Sequence, residues 1–366
     1  MLQKLQLLGA RLLSVLNIFI LLSSVILLTL LSCEESSHEF YGLQLEADGD
    51  ILKVRYNGEG DIVQFKMFEG LDLILKQNEK GIFEGQLSIP DINDAIFSYD
   101  LLVHKKAASG KMVKVPYGPA DSDRQRFYWM GKNRKIDYNK SASLEGKVVE
   151  DSVESIYLWE SRGVTIYYPL AISDNTPIIY FTDGSVVADY APYVDELIKK
   201  KEIAPVILIG VHSSTENRYQ EYVNHGIDNE LFIKHESFFY EEVLPKYEQE
   251  NWKGKRYLYG FSNGAAFGMY NGINHPAKFE KIIAYSTADY VSEMISPIEF
   301  KFDEYPVFIM GAGRYEESIF NDNTAFVEKM KANNIDVELK ELISGHDSFV
   351  WKMEFLKFLE EELAML

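Results

Sequence analysis

Along residues 40–115 apolar and polar positions alternate in short runs. Leu52, Val54 and Tyr56 alternate with Lys53 and Arg55, the period of a half-buried strand. Runs at 62–68, 82–89, 96–104 and 112–115 continue the pattern, separated by turn signals such as Asn57-Gly58 and Gly60-Asp61. No long helical period interrupts this stretch, which predicts a small all-β sandwich. Over 116–149 the periodicity lapses and Gly, Asp, Asn, Lys and Arg dominate, the pattern of a linker or lid-like loop.

Beyond residue 150 the rhythm changes. Short apolar runs at 163–169, 177–181, 205–209, 256–259, 281–285, 306–310 and 335–342 read as strands. Helical patterns lie between or after them at 187–201, 238–248, 323–332 and 351–363. Buried strands alternating with helices predict an α/β domain over 150–366, a mostly parallel sheet with helices on both faces.

The first residues break both patterns. Residues 12–31 are almost wholly apolar, Lys4 and Arg11 precede them, and Ser32-Cys33-Glu34-Glu35 follows. A basic start, an apolar core and a small residue at the cut site describe a secretory signal peptide. The sole cysteine falls directly after that site, and this resembles the bacterial lipoprotein signal. The resemblance implies cleavage after Ser32 and lipidation of Cys33. The expected division is a signal peptide (1–32), a tether (33–39), the sandwich (40–115), the loop (116–149) and the α/β domain (150–366). An uncleaved signal anchor is the other reading, since about 20 apolar residues can also span a bilayer. Both readings put the remaining chain outside the cytoplasm, anchored to the cell envelope on the periplasmic side or at the surface. Glu34 and Glu35 resemble the acidic tag that sends some lipoproteins to the cell surface in Bacteroidetes-type bacteria; a solvated tether explains them as well.

Charge narrows the partners. The chain has 366 residues, with 37 bases against 56 acids and a net charge of −19. Without residues 1–32 the balance is 35 against 56, or −21. Such a surface repels phosphate backbones, so no nucleic-acid partner is expected. One cysteine excludes an intrachain disulfide and a thiolate zinc cage. No His-x-His or His-Glu-x-x-His occurs, and Gly311-Ala312-Gly313 lacks the residues of a phosphate loop, so no metal and no cofactor are expected. The aromatic share of 13% could line a groove, but most of it should be core.

Gly260-Phe261-Ser262-Asn263-Gly264 matches the G-x-S-x-G nucleophile elbow and sits between a predicted strand and a small-residue helix start. That turn would expose the Ser262 hydroxyl and aim the Asn263 N–H at a tetrahedral oxyanion. A serine needs a base, and His346 in Ser344-Gly345-His346-Asp347 lies late in the chain, after the last predicted strand. The acid is expected after the strand at 306–310, as Glu316 with Glu317 as the alternative; it would orient the imidazole. A second oxyanion donor is expected near Gly184 or Ser185 in Thr182-Asp183-Gly184-Ser185, where an ordinary Asp-Gly turn is equally consistent. The order Ser262, Glu316, His346 is that of α/β-hydrolases.

Residues from about 150 onward resemble the putative esterase family of α/β-hydrolases, which includes enterochelin esterases, S-formylglutathione hydrolases and feruloyl or acetyl-xylan esterases. The resemblance rests on Asp183-Gly184, Arg218-Tyr219-Gln220-Glu221, the Ser262 elbow, His275-Pro276 with Phe279, and Gly345-His346-Asp347 with Trp351. Gly313 to Glu316 matches the Gly-x-x-Glu that carries the acid in enterochelin esterases. Arg218 and Glu221 echo a pair that family carries near its site, although an ordinary surface ion pair would look the same. The β-rich region also resembles the N-terminal domain of enterochelin esterases, more loosely.

The expectation is an exported serine esterase that works through an acyl-enzyme on acylated carbohydrate or small esters. A siderophore esterase is the first alternative. A lipoprotein that binds a ligand without turnover is the other.

Overall fold

The computed structural model describes residues 37–365 except 41, 68–70, 116–126, 136–137, 225, 227–228, 249 and 289–299. Cys33 and the signal segment lie outside the described residues. Among the described residues no helix is long and apolar enough to cross a membrane.

Nine strands form the first sheet. They are β1 (Ser37–Phe40), β2 (Leu43–Asp48), β3 (Ile51–Tyr56), β4 (Ile62–Lys66) and β5 (Asp72–Gln77), then β6 (Phe83–Ser88), β7 (Ile96–Lys106), β8 (Met112–Val115) and β9 (Phe127–Met130). They pair in the order β1-β2-β3-β6-β5-β4-β7-β8, with β9 on the first half of β7. Period-two alternation puts Leu52 and Val54 on one face of β3, fully buried, while Lys53 and Arg55 face out. One core cluster draws on both ends of this path, joining Leu43, Leu45 and Val54 to Val63, Phe65 and Val103, so the sheet closes over itself. The sheet also reaches into 116–149: β9 carries Trp129, fully buried, whose indole N–H donates to the Ile92 carbonyl at 3.0 Å. Four aromatic or sulfur-bearing residues, Phe127-Tyr128-Trp129-Met130, form a strand too short to show a period.

The second sheet is mixed. Its strands are β10 (Lys147–Ser155), β11 (Glu160–Tyr168), β12 (Ile178–Phe181), β13 (Ile207–Val211), β14 (Arg256–Phe261), β15 (Lys281–Tyr285), β16 (Val307–Gly313) and β17 (Val337–Leu342). They run in the order β10-β11-β13-β12-β14-β15-β16-β17. The β10–β11 and β11–β13 pairs are antiparallel; every pair from β13 to β17 is parallel. Six helices matter here: α1 (Val187–Lys199), α2 (Arg218–Tyr222), α3 (Glu230–Phe238), α4 (Asn263–Asn274), α5 (Glu317–Ala332) and α6 (Ser348–Leu363). Alternate strand residues feed two cores. Leu258, Ile282 and Ala284 pack with α3, α4 and α5, whereas Tyr257, Tyr259 and Ile283 pack with α1 and α6. Apolar residues on both faces make these strands read as continuous runs rather than alternations. On α6 alone Trp351, Phe355 and Phe358 are buried, each contributing about 1.5–3 kcal/mol.

This topology positions the site. Asp183, Ser262, Ser286, Glu316 and His346 follow the C-terminal ends of β12, β14, β15, β16 and β17, which are consecutive neighbours in the sheet. In open α/β sheets, that edge is where ligands bind.

Candidate active site

Ser262 stands between β14 and α4 with φ 54° and ψ −129°, a left-handed conformation unusual outside glycine. The turn needs two things. The Ser262 N–H donates to the Tyr285 carbonyl at 2.8 Å, tying the turn to β15. Gly264 must lack a side chain, because a Cβ there would stand 2.2 Å from the Thr182 hydroxyl. Asn263 is the first residue of α4, and a first-turn N–H has no acceptor inside its own helix.

His346 meets Ser262 from the far end of the sheet. Its Nε2 lies 3.0 Å from Ser262 Oγ, and its Nδ1 lies 2.6 Å from Glu316 Oε2. Glu317 is exposed at the start of α5, so Glu316 is the carboxylate that reaches the ring. The Glu316 side chain is buried, and its other oxygen accepts the Gly313 N–H at 2.6 Å and the Ser286 hydroxyl. Trp351 completes the cradle. Its indole N–H donates to Ser286 Oγ at 2.8 Å, and its ring stands edge-on to the His346 imidazole with centroids 4.7 Å apart.

Ser286 was not legible in the sequence. It is fully buried with φ 47°, and its N–H donates to the Gly311 carbonyl at 2.6 Å. The one signal that could have found it is its place, directly after the apolar strand at 281–285.

The Asp183–Ser185 turn flanks the elbow. Asp183, not Gly184, takes the left-handed conformation, with φ 55°. Gly184 is glycine for another reason: a Cβ would stand 2.1 Å from the Gly210 carbonyl carbon of β13. The Asp183 N–H donates to Tyr222 Oη at 2.8 Å, which leaves Gly184 and Ser185 to supply a donor from this turn. Arg218 grips the Asp183 carboxylate with both Nε (2.5 Å) and Nη2 (2.7 Å).

Arg218 and Glu221 therefore do not pair with each other. One turn of α2 sends them to different partners. Glu221 is buried and receives Arg162 Nη2 at 2.7 Å and Nη1 at 2.8 Å, with the Ser214 N–H at 2.8 Å. Burial pushes the Glu221 carboxyl up, and the Arg162 hydrogen bonds and charge, the neighbouring His235 and the Ser214 N–H together outweigh this, so it lies below its ordinary range. His235 packs beside this pair, fully buried, its Nδ1 without a hydrogen-bond partner and 3.7 Å from Glu221 Oε2. Burial holds the His235 ring down to about 4.

Among the described residues no group of three His, Cys, Asp or Glu side chains could hold a metal ion. The arrangement is a hydroxyl, an imidazole and a buried carboxylate in line, beside a helix start that offers N–H groups. Chemically it can deprotonate the hydroxyl and hold an oxyanion.

Residues 155–326 match the family Putative esterase. No match to a curated protein was found. Among solved structures, the chain is similar to ferric enterobactin esterase from Salmonella typhimurium, at 13% identity over 88% of this chain and 96% of that one, with TM-score 0.68. It is similar to the enterobactin esterase from Shigella flexneri in the presence of enterobactin, at 14% identity with the same coverage and TM-score 0.63. A ferulic acid esterase matches at 19% identity, 60% of this chain and 98% of its own, with TM-score 0.51. At these identities the likeness is one of fold: an all-β region followed by an α/β-hydrolase-like domain.

Proposed function

We propose, from the match of residues 155–326 to the Putative esterase family, that this chain is a serine carboxylic-ester hydrolase. The observation that carries the reading is the in-line contact of Glu316, His346 and Ser262 at 2.6 and 3.0 Å. Ser262 Oγ attacks the ester carbonyl carbon while its proton passes to His346 Nε2. The carbonyl oxygen becomes an oxyanion, held by the Asn263 N–H and by a second donor at Gly184 or Ser185. As the tetrahedral adduct collapses, the leaving alkoxide takes the proton from His346. Water then repeats the sequence on the acyl-enzyme and frees the acid. Glu316 holds the ring in the tautomer this needs and stabilises the imidazolium.

Hydrolysis of p-nitrophenyl acetate by the purified chain, with fluorophosphonate labelling read by mass spectrometry, tests this reading. Turnover and a label on Ser262 are expected. No turnover together with no label would leave a ligand-binding protein.

The substrate reading is an acylated carbohydrate or a small ester, because a chain at −19 is ill suited to a strongly anionic ligand. One observation favours a siderophore ester instead. The enterobactin esterases share the layout over 88% of this chain, β-rich part included, whereas the ferulic acid esterase spans 60%. Parallel kcat/KM values on acetyl-xylan, a feruloyl ester and a catecholate triester decide between them.

Export and lipid anchoring at Cys33 are part of the same proposal and rest on residues 1–35 of the sequence. Palmitate incorporation by the wild type and its loss in Cys33→Ala are expected in a bacterial host. Equal incorporation by both would refute the anchor.

A further inference from the structure

The loops that carry the acid and the base are gripped by the first sheet. Asp347, next to His346, is buried, and its carboxylate bridges two elements. Its Oδ1 accepts the Phe349 N–H at 2.9 Å and caps α6. Its Oδ2 accepts the Ser98 N–H of β7 at 2.6 Å. Three positions before His346, the Ile343 carbonyl accepts the Ile96 N–H at 3.0 Å. Phe349 lies against Tyr128 of β9, with ring centroids 4.5 Å apart.

The acid loop is held in the same way. Tyr315 Oη donates to the Pro90 carbonyl at 2.6 Å, its ring stands edge-on to Phe97, and Arg314 reaches Asp91. The cores interlock as well: Tyr315 and Ile343 pack on the first sheet's core, while Ile96 belongs to a core of the second.

We infer that the all-β region is a positioning module of the catalytic site, acting through Asp347, whose bridge to the Ser98 N–H sets where His346 stands between Glu316 and Ser262. This rests on the serine-esterase reading above. Asp347 touches no reacting atom; it is a positioning residue. A buried carboxylate that accepts two backbone N–H groups fixes its own loop in both directions, and a base displaced by about 1 Å can lose up to about a hundredfold in rate.

Asp347→Ser separates the two roles. Serine caps a helix about as well as aspartate does, but it is one atom too short to span to β7. In the full-length chain, Asp347→Ser is expected to melt within a few degrees of wild type. Its kcat on p-nitrophenyl acetate should fall at least about tenfold with KM within about twofold, and Ser262 should label correspondingly more slowly. Wild-type kcat in a folded Asp347→Ser protein would overturn the inference. Should that variant not fold, Asp347→Thr caps α6 with the same short reach and fills more of the vacated space. It too is expected to lower kcat at least about tenfold, and unchanged kcat there overturns the inference equally. A wild type without turnover or Ser262 labelling refutes the esterase reading itself, and this inference falls with it; the wild-type control tells the two failures apart.

Discussion

Ser262→Ala, His346→Ala and the double variant are expected to lose kcat to nearly the same extent, each by at least about a thousandfold. A hydroxyl and an imidazole 3.0 Å apart act as one unit. Without the base the hydroxyl is a poor nucleophile, and without the hydroxyl the base has nothing to activate. The second loss therefore adds little to the first. Glu316→Gln should fall between wild type and these variants, because Gln cannot hold the imidazolium by charge and its amide can present a donor to Nδ1. Residual turnover should survive in all of them from the oxyanion donors, which are backbone groups. Single-turnover rates on p-nitrophenyl acetate measure this. Losses that multiply in the double variant would mean that the two residues act in separate steps, against the mechanism.

Arg162→Ala is expected to have the largest effect on stability, about 3–5 kcal/mol, read as a lowered midpoint in urea. The substitution strands Glu221, which is buried and takes two hydrogen bonds from that guanidinium. Replacing both, as Arg162→Met with Glu221→Leu, should cost much less, since no buried charge then remains unpaired. Stability around this cluster should also depend on pH, with a definite sign. An unfolded histidine titrates near 6.5, whereas folded His235 is held down to about 4. Between those values the unfolded chain takes up a proton that the folded chain refuses, so stability rises with pH. The His235 contribution is complete above about pH 6.5 and is lost as pH falls toward 4, at most about 3 kcal/mol. Glu221, lowered in the fold, gives way in the same direction. His235→Phe should flatten the unfolding midpoint between pH 6.5 and 4.5. An unchanged slope would place the acid sensitivity elsewhere.

What the sequence made legible follows from how local each signal is. The elbow is five consecutive residues between a strand and a helix, and Glu316 and His346 each follow an apolar run, so chain order alone brought them forward. The strand pattern at 281–285 matches β15 end to end. Helix starts were less visible. The pattern at 323–332 caught only the later part of α5, because its first turn, Glu317-Ser318-Ile319-Phe320, shows no stripe on its own. Partners distant in sequence left no signal at all. Arg218 and Glu221 look like a pair at helical spacing, yet Glu221 turns inward to Arg162, 59 positions earlier. Ser286 is a common residue whose role exists only once β15 and β16 lie side by side. Asp347 finds its partner 249 positions away, on a strand whose sequence predicts nothing but a sandwich.

Among the described residues, three of the loops around Ser262 hold one non-glycine residue each in the left-handed region: Asp183 at φ 55°, Ser262 at 54° and Ser286 at 47°. Such residues cost about 1–3 kcal/mol apiece, against a net stability that is typically about 5–15 kcal/mol for a whole domain. Each of the three also uses its side chain, to hold Arg218, to meet the His346 imidazole and to steady Glu316. Glycine would relieve the strain at any of them and remove that side chain in the same step. If the esterase reading holds, a gain in heat tolerance at these positions would come at the expense of turnover, so the two properties cannot be raised together there.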